Sequence, residues 1–62
     1  MGQKLAKAFQ LAKENGGLAA QMRLAMKGGM AEDKAVSAPD SPELVQKFEA
    51  ALSEILGKPV SL

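Results

Sequence analysis

Between Gln3 and Asn15 the apolar residues Leu5, Ala8, Phe9 and Ala12 recur at i, i+3, i+4 and i+7, which places them on one face of an α-helix. Gln3, Lys7, Gln10 and Glu14 cover the opposite face. Leu11 belongs to neither set, because it lies roughly 120° around the axis from Leu5. Asn15 and Gly16 predict the end of this helix, since both residue types accept the left-handed conformation of a C-cap. From Gly17 to Lys27 a second helix is expected, with Leu18, Met22, Ala25 and Met26 as its core stripe. Gly28-Gly29 would stop it, with Lys27 placed to meet the last carbonyls. The similar phrases that run from Leu11-Ala12 to Gly16-Gly17 and from Leu24-Ala25 to Gly28-Gly29 therefore read as two helix boundaries.

The stretch from 28 to 40 has no sustained period and is expected to be an irregular connection. Ala31 to Ala35 could form one helical turn, anchored by Val36 and ended by Pro39. Periodicity returns after Ser41, a favoured N-cap, with Pro42 at the first helical position and Glu43 at the positive end of the dipole. Leu44, Val45, Phe48, Ala51, Leu52, Ile55 and Leu56 form one broad apolar face, and Gly57 and Pro59 mark the stop. The pattern predicts an all-α fold in a single domain spanning 1–62. It is a small three-helix bundle, with helices at about 3–15, 17–27 and 41–56.

Composition makes the core thin. Alanine supplies eleven of the 29 apolar residues among the 62, and the aromatics are Phe9 and Phe48 alone. No cysteine or histidine is present, so neither a disulfide nor an ordinary zinc site can staple the fold. A domain of this kind needs close helix packing or contacts from another chain. No run is long and apolar enough for a membrane span, and lysines recur through the first apolar stretch without a signal-peptide h-region after them. The expectation is a soluble, cytoplasmic protein.

The same composition argues against an enzyme. Without His, Cys, Tyr or Trp the usual general bases and soft nucleophiles are missing. Glu32 and Asp33 are adjacent, so on a helix their carboxylates point apart and do not pair on a metal. The doubled glycines follow helices rather than strands and lack the Gly-Lys-Ser/Thr of a phosphate loop. No catalytic residue, cofactor, metal or small-molecule substrate is expected.

Charge is uneven along the chain. Residues 1–30 carry Lys4, Lys7, Lys13, Arg23 and Lys27 against Glu14. Residues 31–62 carry Lys34, Lys47 and Lys58 against Glu32, Asp33, Asp40, Glu43, Glu49 and Glu54. Internal neutralisation between the halves accounts for this, and the apolar face of the basic first helix is needed to cover Phe48 rather than a lipid surface. Met22, Met26 and Met30, spaced by four, read as gap-filling core.

Two functional readings remain. The first is a non-enzymatic protein–protein interaction module, most simply a self-associating one. Leu11 and Leu24 lie off the core stripes at equivalent places in the doubled phrase, so Leu11, Ala20 and Leu24 are expected to form an exposed patch that packs against a partner, most simply a second copy. The alternative is a helix-turn-helix-like nucleic-acid-binding protein. Its second helix would offer Gln21 to adenine, Arg23 to guanine and Lys27 to phosphate, although Asn15 and Gly17 stand where that motif wants apolar residues. The outward side of the second helix separates the two: an apolar face suits protein contact, a basic one suits phosphate.

Overall fold

The computed structural model describes residues 3–62. The described chain forms three helices, α1 (Gln3–Gly28), α2 (Glu32–Ser37) and α3 (Pro42–Leu56), so the all-α, three-helix class expected from the pattern is the one observed. α1 packs against both α2 and α3.

α1 joins the two helices expected at 3–15 and 17–27 into one kinked element. The first of them ends at the kink, one residue later than expected: Asn15 is still helical, and its Nδ2 donates to the Leu11 carbonyl one turn back at 2.9 Å. The break is Gly17 alone, with φ 72° and ψ −161°, a region that residues with a Cβ rarely enter. Gly16 supplies the room, because a Cβ there would lie 2.5 Å from that of Ala20. One residue with positive φ redirects the chain without a loop. The second glycine pair does stop the helix: Gly29 N–H donates to Met26 O at 3.3 Å and Met30 N–H to Ala25 O at 3.1 Å, the paired bonds of a Schellman motif.

The connection expected to be irregular contains α2. Glu32 and Asp33 sit in its first turn, where negative charge meets the positive end of the helix. Its anchor is Ala35, fully buried, and not Val36, which is 37% exposed. A methyl group lets this short helix lie close to α1, whereas adjacent residues on a helix point about 100° apart and leave Val36 at the edge. Beyond α2, both Asp40 carboxylate oxygens accept from the Lys4 backbone N–H, at 3.2 and 3.3 Å, at the N-terminal end of α1.

α3 begins and ends as its sequence directs. Ser41 Oγ accepts from the Leu44 N–H at 3.3 Å, Pro42 follows, and Gly57 caps the other end in the left-handed region. The tail then folds back along α3. Val60 N–H donates to Ser53 Oγ at 3.0 Å and Leu62 N–H to Glu49 Oε2 at 2.7 Å, with both apolar side chains on the edge of the core.

Leu5, Ala8, Phe9 and Ala12 are all buried, as their spacing requires, and they face Phe48, Ala51 and Leu52 of α3. The Phe9 and Phe48 rings lie 5.7 Å apart between centroids at 55°, a favourable tilted arrangement. After the kink the expectation fails. The second half of α1 buries Ala20, Leu24 and Gly28 in place of Leu18, Met22 and Met26, with Ala25 at the margin. Gly28 decides this orientation: a Cβ there would lie 2.6 Å from Cε1 of Phe48, so the ring rests directly on α1 backbone. Small residues at 20 and 28 allow a close approach that a methionine stripe would hold open.

Candidate interaction surface

Turning Ala20, Leu24 and Gly28 inward turns the opposite side of the same helix outward. Leu18 is 70%, Met22 68% and Met26 81% exposed. Spaced by four, they fall within roughly 80° of arc and form a continuous apolar stripe two turns long. Ala19 and Ala25 flank it and add little height. Methionine is unbranched and polarizable, so two of the three side chains can adapt their shape to a contacting surface.

The two edges of the stripe differ in charge. On one edge Gln21 is held by α2, its Nε2 donating to Glu32 Oε1 at 3.3 Å. On the other edge stands Arg23, exposed, above an open cleft of about 340 Å³ between α1 and the C-terminal end of α3. Ala19, Ala20, Ile55 and Leu56 give this cleft apolar walls, and Arg23 and Lys58 bring positive charge to it. Further along α1, Lys27 Nζ lies 2.9 Å from Glu54 Oε1. The hydrogen bond from Lys27, followed by its charge, holds the Glu54 carboxyl below its ordinary value, and Arg23 adds a smaller pull.

The patch expected from Leu11, Ala20 and Leu24 is not exposed. Leu24 is fully buried, Ala20 is buried, and Leu11 is half-buried against the core. Leu24 lies roughly 200° around the axis from Met22, so burying one exposes the other. Met22 and Met26 are likewise outside the core that their spacing suggested, and of the three methionines only Met30 packs against it. The three residues considered as nucleic-acid readers do not form one free set: Gln21 binds Glu32, Lys27 binds Glu54, and Arg23 stands on the opposite edge of the apolar stripe from Gln21.

Among the described residues no three His, Cys, Asp or Glu side chains converge as a metal-ligand group. No described helix is long and apolar enough to cross a membrane. The sequence did hold a signal for the true buried face, namely Ala20, Leu24 and Gly28 at four-residue intervals, a row of mostly small side chains along one side of the helix. Comparison of the chain with protein-family models, with curated proteins and with solved structures finds no match.

Proposed function

We propose that this protein is a non-enzymatic helical interaction module that binds another protein through Leu18, Met22 and Met26. One observation carries this reading: the outward face of the second half of α1 is apolar. Single exposed apolar residues are ordinary, but three in one row on a domain with so little large apolar material form a surface that water solvates poorly. The interior does not need them, since Leu24 shares the core with Phe48 and Leu52, and Gly28 lies against the Phe48 ring. Nucleic-acid binding lacks comparable support, because two of its three readers are held by carboxylates.

The test is photo-crosslinking in the cells that make the protein, with benzoylphenylalanine at position 22 and, as the control, at exposed Lys34. Discrete protein adducts are expected from position 22 only, and they should vanish when Leu18 and Met26 are both changed to lysine. Adducts to nucleic acid or lipid, or protein adducts equally strong from position 34, would overturn the reading.

A further inference from the structure

Resting on that reading, we infer that the partner presents an amphipathic segment whose apolar side seats on the Leu18–Met22–Met26 stripe and whose flank carries carboxylates that meet Arg23 and Lys58 at the cleft. The argument is charge complementarity. Among the described residues the only direct ion pair joins Lys27 to Glu54; Arg23 adds only a lesser pull on that same carboxylate, and neither Arg23 nor Lys58 is in a direct ion pair. Both border the same apolar-walled cleft, which opens beside Ala19 on one edge of the stripe. An acidic side chain entering there would lie against the apolar side chains of Ile55 and Leu56, which displaces part of its water and strengthens its attraction to the two cations. The opposite edge carries Glu32, already bonded to Gln21. A partner with acids along one flank is therefore accepted with that flank at the cleft, and the reversed orientation, which would set the acids beside Glu32, is opposed.

A second copy paired antiparallel across the stripe is disfavoured. Two helices that pair antiparallel about a two-fold axis through Met22 place like residues on the same edge of the contact. Arg23 follows Met22 and lies roughly 100° from the middle of the stripe, so it would stand beside its own counterpart across the axis. Like charges at that separation oppose the pairing.

The experiment uses the intact chain and two synthetic helical peptides of about 18 residues, long enough to fold on contact. Both carry leucine at four-residue spacing. One has glutamates along a single flank and glutamines along the other; its twin has lysines in place of the glutamates. Fluorescence anisotropy should show the acidic peptide binding about tenfold more tightly than the basic twin. The double variant Arg23→Glu, Lys58→Glu should invert that order, and Met22→Lys should weaken both peptides alike. All three residues are exposed, and unchanged circular dichroism establishes that the variants remain folded. Equal affinities for the twins, or no effect of the double reversal, would overturn the acidic partner while leaving the apolar stripe as a protein contact. Failure of both peptides to bind would overturn both. So would a wild-type dimer in sedimentation that Met22→Lys converts to monomer overturn the acidic partner, because the stripe would then belong to a second copy.

Discussion

A Cβ on Gly28 would stand 2.6 Å from Cε1 and 2.8 Å from Cζ of Phe48, so the aromatic ring of α3 lies against the bare backbone of α1. Gly28→Ala should therefore lower stability by about 1–3 kcal/mol through overpacking. In urea titrations the loss should shrink when Phe48→Leu is added, because the shorter side chain vacates the collision. A loss equal to the sum of the two single effects would show that the two residues are not in conflict.

Phe48 itself is fully buried and tilts against Phe9. Phe48→Ala should cost about 3–5 kcal/mol. A core this small provides roughly that much in total, so the variant should be mostly unfolded at 25 °C by circular dichroism.

The orientation of the second half of α1 is testable with two lysines. Leu24→Lys places an ammonium in the core and should destabilise the domain by more than about 3 kcal/mol. Met22→Lys, two residues earlier, should change stability by within about 0.5 kcal/mol. Thermal melts that ranked the two variants the other way would mean that Leu18, Met22 and Met26 face the interior.

Gly17 is a backbone position and not a packing one, since nothing lies within 4 Å of where its Cβ would be. Substituting L-alanine should cost about 1–3 kcal/mol from strain alone. D-alanine, which favours positive φ, should instead be neutral or stabilise by about 0.4–1 kcal/mol by restricting the unfolded chain. A chain of this length is open to chemical synthesis, and melting temperatures of the two epimers give the comparison.

Glu54 should titrate below the ordinary carboxylate range, and Lys27→Gln should return it there, as followed by carboxyl carbon NMR shifts. Because the folded value lies below the unfolded one, the pair favours the folded state at neutral pH, and that contribution disappears as pH falls through the folded value. Both groups are accessible to water, so added salt should diminish the effect. An unshifted Glu54 in the wild-type chain would exclude the ion pair in solution.

The amino-acid sequence determines every feature here that depends on local chemistry. Ser41, Pro42 and Gly57 bound α3 because capping, a fixed φ and left-handed backbone are properties of single residues. The faces of α3 and of the first half of α1 follow from period alone, since each has one dominant apolar stripe. The second half of α1 has two, Ala20–Leu24 on one side and Leu18–Met22–Met26 on the other, and periodicity cannot choose between them. Judged by side-chain size, the larger stripe belongs inside, and the interaction patch then falls on Leu11, Ala20 and Leu24. Tertiary structure reverses that choice. The kink at Gly17 sets the rotation of the helix beyond it, and Gly28 must meet Phe48, a contact between residues twenty positions apart that no local window contains. Close approach of two helices is gained where side chains are small, so the smaller stripe goes inward and the larger one is left at the surface.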